Sequence, residues 1–349
     1  MKVLGLMSGT SLDGLDLAIA EFKGLPMEDS PIKWQIHAVK TIRYSDEWIS
    51  RLAKSINLSG LDLMLLHTDY GSLLGETCLE FINEIGITPD LISSHGHTIF
   101  HEPKKGFTTQ IGDGNQIASI TGISTAYNFR SLDVALGGQG APLVPIGDQY
   151  LFDEYDACLN LGGIANISYN ENGKRIGFDI CPFNLLLNYF ANKLGVAFDK
   201  GGNLARQGFV DLELLAQLNS IEYYQKAYPK SLDKETLLKQ YLVLIGSLNS
   251  EPKNVLATLV EHYTNEIAKH LSGKNCLITG GGAYNSFFIE SLKSKSEVNI
   301  HVPGKELIEF KEALIFAFIG YLRVNRVNNI LSSATGAKSD SCSGLFIQP

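Results

Sequence analysis

Long hydrophobic runs and an excess of basic residues are both missing from this sequence. The apolar stretch at residues 313–322 is far shorter than the roughly 18 residues that a membrane-spanning helix requires. The chain carries 29 Lys and Arg against 37 Asp and Glu, a net charge of -8. Such a balance does not provide the basic surface that nucleic acids or anionic membranes bind. We therefore expect small-molecule partners, with no nucleic acid and no membrane.

Cysteine pairs are also missing, because the five cysteines are odd in number, widely spread and without a CxxC spacing. This pattern excludes a disulfide framework and a zinc knuckle, and it is typical of buried thiols in a reducing compartment. The sequence also runs directly from its first residues into a predicted strand. We expect a cytoplasmic protein. The cysteines are Cys78, Cys158, Cys181, Cys276 and Cys342.

Two common nucleotide-binding signatures are absent, the GxxxxGK[ST] loop and a GxGxxG turn that opens a first βαβ unit. Three other glycine-rich turns follow predicted strands, at MSGTSLDG (residues 7–14), at Gly162 with Gly163, and at residues 280–282. Glycines at such positions let backbone N–H groups approach phosphates. A single turn of this kind is commonly only a bend, but three at strand ends predict a nucleotide site.

Strand-period and helix-period segments alternate along the chain, which predicts an α/β fold. A hairpin and third strand in the first 44 residues are repeated at residues 155–180, indicating an internal duplication. A chain of 349 residues can form two domains. We predict an N-terminal lobe of residues 1–130 plus about 325–349, a C-terminal lobe of residues 131–324, and a ligand cleft between them.

Asp179 is the best candidate for a general base. Ile176, Phe178 and Ile180 alternate around it, so its side chain points to the opposite face of the predicted strand. Pro182 suggests that a helix begins just afterwards, and the positive end of that helix would keep the carboxylate ionised. The alternative is an aspartate that only caps the helix.

A histidine cluster supports a second enzyme hypothesis. His95 and His97 form an HxH pair at a strand end, followed by His101 and Glu102. Such a pair is a common two-ligand metal arrangement, so a metallohydrolase is an alternative. The remaining histidines are scattered and provide no evident third ligand.

Eight motifs across the chain resemble those of the anhydro-N-acetylmuramic acid kinase family, within the actin, hexokinase and Hsp70 superfamily. The resemblance implies two ribonuclease-H-like lobes and a homodimer. It also implies a sugar kinase that uses ATP, Mg²⁺ and water to open the 1,6-anhydro bond and phosphorylate O6, in peptidoglycan recycling. The motifs are MSGTSLDGLD from Met7, SHGHTIFHEP from Ser94, QIGDGNQIA from Gln110, NFRSLDVALGGQGAPLVP from Asn128, NLGGIAN from Asn160, FDKGG from Phe198, TGGGAYN from Thr279 and EALIFAF from Glu312.

The same resemblance implies roles for individual residues. Asp179 would be the catalytic base, and Asp13 and Asp16 would hold Mg²⁺ through water. Arg130, Asp133 and Glu312 would line the sugar pocket, although Arg130 with Asp133 could be a local ion pair and Glu312 an ordinary polar helix residue. The nucleotide-binding residues would be Gly9, Thr10, Ser11, Asp13, Gly14, Asp16, Gly162, Gly163, Gly280, Gly281 and Gly282.

The sequence departs from the family pattern beside the base. Where the family usually reads DTGPGN, this chain has DICPFN at residues 179–184, so Cys181 and Phe183 stand where glycines are usual. We expect these larger side chains to narrow the pocket. His97 stands where glutamine is usual, and LDKE at residues 232–235 replaces TGRE. The departures keep two alternatives open: a kinase for a related anhydro or amino sugar, and a non-catalytic sugar or nucleotide sensor.

Overall fold

The computed structural model of the protein describes residues 1–9, 12, 14–26, 31–228, 230–232, 234–248 and 250–349, with the backbone alone for residues 234–237. These residues divide into two compact units. Unit 1 comprises Met1–Asp153 and Phe310–Pro349, and unit 2 comprises Glu154–Glu309.

The described residues form strands and helices that alternate along the chain, as predicted. The strands are β1 (Lys2–Ser8), β2 (Leu15–Lys23), β3 (Lys33–Ile42), β4 (Leu91–Ser94), β5 (His97–Glu102), β6 (Phe107–Ile111), β7 (Thr125–Tyr127), β8 (Ala157–Leu161), β9 (Ala165–Glu171), β10 (Lys174–Cys181), β11 (Asn275–Thr279), β12 (Asn299–His301) and β13 (Leu345–Ile347). The helices are α1 (Asp46–Lys54), α2 (Gly60–Ile85), α3 (Gly114–Thr121), α4 (Ser131–Ala135), α5 (Pro145–Leu151), α6 (Phe183–Lys193), α7 (Asn203–Arg206), α8 (Leu212–Asn219), α9 (Lys234–Leu248), α10 (Pro252–Ala268), α11 (Ser286–Lys295), α12 (Lys305–Val324) and α13 (Ser332–Thr335).

The sheet of unit 1 has six strands in the order β13-β7-β4-β1-β2-β3. Strands β1, β2 and β3 are antiparallel, while β4 runs parallel to β1 and β7 parallel to β4. The C-terminal strand β13 pairs antiparallel with β7, so the last residues of the chain complete the sheet that the first residues begin. Strands β5 and β6 form a separate hairpin.

The sheet of unit 2 has five strands in the order β10-β9-β8-β11-β12. Strands β8, β9 and β10 are antiparallel, and β11 runs parallel to β8. The first five strands of each sheet therefore have the same order and the same relative directions. This confirms the predicted internal duplication and the ribonuclease-H-like character of both units.

Helix α2 shows how the local sequence sets the elements of unit 1. Ser59 caps the helix by accepting the N–H of Asp62 at 3.1 Å, and Gly86 ends it in a left-handed conformation with φ 70°. Leu66 and Tyr70 lie one turn apart and are buried against the sheet.

Helix α12 lies very close to the sheet of unit 1. A Cβ atom at Gly5 of β1 would overlap the carbonyl oxygen of Ala313, and one at Gly320 would overlap Ser93 of β4. The Ser93 hydroxyl donates to the carbonyl of Phe316 at 2.5 Å. These contacts fix the height of α12 above β1 and β4, and they therefore fix the position of its first turns in this unit.

The core of unit 2 lies on one face of its sheet, beneath helices α6, α8 and α10. Ile176, Phe178 and Ile180 of β10 all point into it, as their alternation predicts. Four of the five cysteines are buried, as predicted for thiols outside a disulfide framework, and Cys342 is half-buried. Within the part of the chain that the structure describes, no helix is long and apolar enough to span a membrane.

The boundaries of the two units differ from the boundaries of the predicted lobes. The units meet at 153/154 and at 309/310, whereas the lobes were placed at 130/131 and near 324/325. In both divisions the N-terminal and C-terminal segments of the chain belong to the same unit or lobe. The functional lobes, with the stated boundaries, stay a prediction.

A buried ion pair in unit 1 gives a stability prediction. Lys311 Nζ of α12 lies 2.6 Å from Asp148 Oδ1 of α5, and both side chains are about 5% exposed. Removing Lys311 takes away the ammonium group 2.6 Å from a buried carboxylate, so Lys311→Met alone should lower the free energy of unfolding by about 3–5 kcal/mol. Urea unfolding of that variant measures the loss.

The double variant Asp148→Leu/Lys311→Met is the matched control. It removes both charges together, so it should be clearly more stable than either single variant. A double variant whose loss equals the sum of the two single losses would show that the pair is not energetically coupled.

Candidate active site

The turn between β1 and β2 is held by a hydrogen bond within the turn and by close packing on strand β3. Gly9 is half-buried and accepts the N–H of Leu12 at 3.4 Å, and Leu12 has a left-handed φ of 61°. Gly14 is buried, and a Cβ there would lie 2.6 Å from the carbonyl oxygen of Ile42. Glycine at position 14 is thus required by packing on β3. Three predicted phosphate-binding residues lie outside the described residues: Thr10, Ser11 and Asp13.

Asp16, at the start of β2, is the predicted Mg²⁺ residue that the structure describes. Its side chain is half-buried, and its Oδ1 accepts a hydrogen bond from the Thr41 hydroxyl at 2.6 Å. A carboxylate already hydrogen-bonded in this way suits a cation that keeps its own waters, as Mg²⁺ does.

A chain of hydrogen bonds anchors the end of β1 just before this turn. The Ser8 hydroxyl lies 2.9 Å from His97 Nδ1 and accepts from the Tyr44 hydroxyl at 2.8 Å. Tyr44 in turn lies 2.6 Å from the hydroxyl of Tyr70 in α2. Burial lowers the pKa of His97 to about 4, so the ring is neutral and acts as a hydrogen-bonding partner.

His95 supports Arg130. Its Nδ1 lies 2.8 Å from the carbonyl oxygen of Gly96, and its Nε2 accepts from Arg130 Nε at 3.0 Å. These contacts assign the proton to Nδ1. Burial, and next the charge of Arg130, hold the pKa of His95 well below its usual range. The histidine is therefore neutral and fixes the plane of the guanidinium.

The metal interpretation of the histidine pair is not favoured. Both ring nitrogens of His95 and Nδ1 of His97 are engaged within the protein. Among the residues that the structure describes, no group of three or more His, Cys, Asp or Glu side chains could hold a metal ion. A two-histidine hydrolase centre therefore lacks further ligands in the described part of the chain.

Arg130, Asp133 and Glu312 come together in unit 1, but in different roles. Arg130 also donates from Nη1 to the carbonyl of Gly140 at 2.5 Å. Asp133 is fully buried and accepts from the Gly140 N–H and the Thr335 hydroxyl, both at 2.7 Å. It therefore supports the loop behind Arg130, and its place in the lining of the sugar pocket stays a prediction.

Glu312 of α12 is half-buried close to Arg130. Burial raises the pKa of its carboxyl, while Arg130 and Lys311 lower it and Asp16 and Asp148 raise it. Burial lowers the pKa of Arg130 to about 10, and the charge of Glu312 opposes that shift. A guanidinium and a carboxylate held together in this way can bind a polar ligand from two sides.

The other two glycine turns meet at one edge of the unit 2 sheet. β8 and β11 run parallel and end side by side, with Thr279 opposite Asn160. Gly280 has φ 81°, and a Cβ there would overlap the Asn160 side chain. A Cβ at Gly282 would overlap the Phe183 ring, but one at Gly281 would meet its first atom at 3.9 Å. Gly281 is thus the member of the triplet whose Cα faces open space.

The Gly162–Gly163 turn is tied to the start of α6. The carbonyls of Gly162 and Gly163 accept the N–H groups of Asn184 and Leu185 at 3.2 and 3.1 Å. Asn184 Nδ2 also donates to the carbonyl of Leu161 at 3.0 Å. Both predicted nucleotide turns of unit 2 therefore lie at the carboxyl ends of neighbouring parallel strands, where ligands bind in α/β sheets.

Asp179 lies next to an irregularity in β10. The register of β10 against β9 shifts between Asp179 and Cys181, and such bulges re-aim side chains beside active sites. Oδ2 of Asp179 accepts the N–H of Leu232 at 2.9 Å, and its main-chain carbonyl accepts the Tyr223 hydroxyl at 2.7 Å. The side chain is half-buried and points away from the core.

The alternative that Asp179 only caps α6 was wrong, since no described side chain caps this helix, while the expected effect of the helix dipole on the Asp179 carboxylate stays a prediction. Hydrogen bonds to Asp179 come from Leu232 and Tyr223, and the N–H groups of Asn184 and Leu185 near the start of α6 are directed at the glycine turn. Burial raises the pKa of Asp179 to about 6, against the opposing effect of the Leu232 N–H. The carboxylate is thus ionised at neutral pH and more basic than an ordinary aspartate.

The expected narrowing of the pocket by Cys181 and Phe183 was also wrong. Both side chains are fully buried. The Phe183 ring packs edge-on against Phe288, with ring centroids 4.7 Å apart, and lies 5.5 Å from the ring of Tyr263. The two side chains therefore fill the core beneath the loop: the register shift after Asp179 interrupts the alternation of β10, so Cys181 is buried in the core together with Ile180, and Phe183 is buried there at the start of α6.

Sequence reasoning missed a polar row on the face of the unit 2 sheet that carries Asp179. Asp179 pairs with Asn166, Asn166 with Asn160, and Asn160 with Thr279, across four strands. Directly opposed residues point to the same face, and a strand spacing of about 4.8 Å puts Asn160 about 10 Å from Asp179. The motif NLGGIAN, which begins and ends on these asparagines, was the available signal.

Sequence comparisons with known proteins all give the same family, and each match extends over nearly the whole chain. A family model described as anhydro-N-acetylmuramic acid kinase matches residues 1–348. A protein of that name from Aliivibrio fischeri is 33% identical over 380 residues, covering 99% of this chain and 98% of the relative. A protein of the same name from Mannheimia succiniciproducens is 33% identical, covering 98% of this chain and 98% of the relative. Another from Pasteurella multocida is 34% identical, covering 97% of this chain and 94% of the relative.

The raised pKa of Asp179 gives a stability prediction. Its value of about 6 in the folded protein exceeds the ordinary 3.8, so its contribution to stability is complete below pH 3.8 and is lost as pH rises through 6. Asp179→Asn should therefore be at least as stable as wild type at pH 7.5. Its stability relative to that of wild type should be lower at pH 5 than at pH 7.5. Thermal unfolding at both pH values measures this, and a variant much less stable at pH 7.5 would contradict the raised pKa.

Proposed function

The chain belongs to the anhydro-N-acetylmuramic acid kinase family, and from that premise we propose which of its residues perform each part of the reaction. It is a sugar kinase. We propose that it uses ATP and water to convert 1,6-anhydro-N-acetylmuramic acid into N-acetylmuramic acid 6-phosphate, in peptidoglycan recycling. The position and basicity of Asp179 carry the assignment of the hydrolytic step.

The reaction joins a ring opening to a phosphoryl transfer. The oxygen of a water molecule bonds to C1 of the sugar while one of its protons moves to Asp179. The C1–O6 bond breaks, O6 keeps the electron pair and bonds to the γ-phosphorus, and ADP leaves. Capture of O6 by phosphorus replaces the acid that protonates the leaving oxygen in inverting glycosidases.

Asp179 suits the role of base in two respects. Its pKa of about 6 leaves it ionised at neutral pH yet able to hold a proton in the transition state. Its Oδ2 is occupied by the Leu232 N–H, and among the described residues none donates to Oδ1. The carboxylate thus has a fixed orientation and one oxygen for the water.

Arg130 is proposed to bind the lactyl carboxylate of the muramic acid sugar. His95 and the Gly140 carbonyl hold its Nε and Nη1, so the guanidinium is oriented before the sugar binds. A planar guanidinium matches a carboxylate with two parallel donors, which a lysine could not do. Glu312, beside it, is proposed to accept from sugar hydroxyl or amide groups.

The glycine turns are proposed to bind ATP. The turns at Gly9 and at Gly162 with Gly163 present backbone N–H groups to the phosphates, and Gly281 gives the adenosine room at the end of β11. Asp16, together with Asp13, is proposed to hold Mg²⁺ through water. When bound, the ion neutralises charge on the phosphates during transfer.

A cytoplasmic location and a homodimer complete the proposal. The free and mostly buried cysteines, together with the use of ATP, support a reducing intracellular compartment. The homodimer rests on the family alone. A related-sugar kinase and a sensor are less favoured, because Cys181 and Phe183, two of the departures that prompted these alternatives, are buried in the core.

Turnover in oxygen-18 water tests the hydrolytic assignment. With ATP, Mg²⁺ and the anhydro sugar, wild type should release ADP and place one label in the sugar 6-phosphate, as measured by mass spectrometry. Asp179→Asn should bind ATP normally and lose turnover by at least about 10³-fold, because only the proton acceptor is changed. In wild type, kcat/KM should rise with pH around a midpoint near 6.

Turnover close to that of wild type in Asp179→Asn would exclude Asp179 as the base. Phosphosugar without label would instead exclude water as the nucleophile. ADP release without any phosphosugar would point to another acceptor sugar.

Gly281→Ala tests the nucleotide site, with Gly282→Ala as its matched control. The added methyl group at position 281 meets its first protein atom at 3.9 Å, so the fold should change little while KM for ATP rises by about tenfold or more. At position 282 the methyl group would overlap Phe183 and lower the free energy of unfolding by about 1–3 kcal/mol. An unchanged KM for ATP in Gly281→Ala would remove the triplet from the site.

A further inference from the structure

Asp179 is held by a second backbone segment that lies far from it in the sequence. Residues 230–232, called the 230–232 segment below, run alongside the end of β10. The N–H of Asp179 donates to the carbonyl of Lys230 at 3.3 Å, and the N–H of Leu232 donates to Asp179 Oδ2 at 2.9 Å. One segment therefore holds both the main chain and the side chain of the proposed base.

The 230–232 segment is itself fixed in unit 2. Lys230 Nζ lies over the ring of Tyr223, 4.8 Å from its centroid, and over that of Phe178 at 5.6 Å. It also lies 3.4 Å from the main-chain carbonyl of Tyr223. The hydroxyl of the same tyrosine donates to the carbonyl of Asp179 at 2.7 Å. The segment, Tyr223 and Asp179 thus form a closed set of contacts.

We propose that the 230–232 segment is the positioning element of the general base: by occupying Oδ2 of Asp179, the Leu232 N–H leaves Oδ1 as the oxygen that accepts the proton from water. This inference rests on the proposed function, in which Asp179 is the base. It adds the identity of the accepting oxygen and of the group that selects it. Leu232 is a positioning residue, because its N–H acts on the water only through Asp179.

The direction of the water follows from this arrangement. Oδ1 lies on a side chain that faces the polar row, directly beside Asn166 on β9. A water bound to Oδ1 therefore has an amide within reach on the neighbouring strand. Rotation of the carboxylate would break the 2.9 Å bond from Leu232, so the two oxygens are not interchangeable.

The charged and titratable groups that the structure describes around Asp179 do not provide an alternative donor. Tyr223 and Cys181 both interact electrostatically with Asp179, and burial raises the pKa of each above its usual range, so both are neutral. Lys230, on the segment itself, directs its ammonium group to Tyr223. Glu266 interacts with Cys181 and Lys230. The Leu232 N–H is the group that opposes the effect of burial on the pKa of Asp179.

Removal of the single N–H tests the proposal. Leu232→Pro lacks the donor, so the pKa of Asp179 should rise and the midpoint of the kcat/KM profile should move upward by about one pH unit or more. Above the midpoint kcat should fall about tenfold, because the carboxylate can now rotate. KM for ATP should stay within about twofold, since no nucleotide-binding group is changed.

Leu232→Ala is the matched control, because it shortens the same side chain and retains the N–H. Its midpoint should equal that of wild type, whatever the smaller side chain does to the rate. Since proline can disturb the local backbone, a second variant replaces Leu232 with its α-hydroxy acid, which exchanges the N–H for an ester oxygen and keeps the side chain. The ester variant should reproduce the upward shift.

The outcomes separate this inference from the proposed function. An unshifted midpoint in the ester variant, with Asp179→Asn inactive, would overturn the positioning role and leave the base assignment standing. Full activity in Asp179→Asn would overturn the base assignment itself. Equal upward shifts in Leu232→Ala and the ester variant would show that side-chain packing, and not the N–H, sets the basicity of Asp179.

Discussion

The close contact between helix α12 and the sheet of unit 1 determines the arrangement of the residues around it. Gly5 and Gly320 provide the space, since a single methyl group at either position would overlap the opposite backbone or side chain. With the helix at this height, Lys311 reaches Asp148 within the core and Glu312 comes close to Arg130. The electrostatic environment of the proposed sugar site thus depends on two buried glycines.

Arg130, proposed to bind the sugar, and Asp179, the proposed base, are both oriented by hydrogen bonds to neutral groups. A neutral histidine and a backbone carbonyl hold the Arg130 side chain, a backbone N–H holds the Asp179 side chain, and a tyrosine hydroxyl holds the Asp179 main-chain carbonyl. Neutral partners fix orientation without cancelling the charge, which therefore stays available to a substrate. A carboxylate bound to Arg130 would meet a preoriented cation, and a water at Asp179 would meet a preoriented base.

The sequence predicted the features that depend on neighbouring residues. The two hairpins, strand β11 and the glycine turns at strand ends follow from local patterns, and the structure has them. The contacts that set the chemistry join distant residues: Leu232 is 53 positions from Asp179, and His95 is 35 positions from Arg130. No local pattern encodes such pairs. The burial of Phe183 was missed for the same reason, because its packing partner Phe288 belongs to another helix.

Phe183 has a consequence for motion near the base. A glycine at this position would let the loop after β10 flex independently of the core, because it has no side chain to anchor. Here a ring wedged between Phe288 and Tyr263 makes the loop part of the cooperative core of unit 2. Displacement of Asp179 therefore requires the surrounding core to open as well. We expect the activity to be lost at the temperature at which unit 2 unfolds.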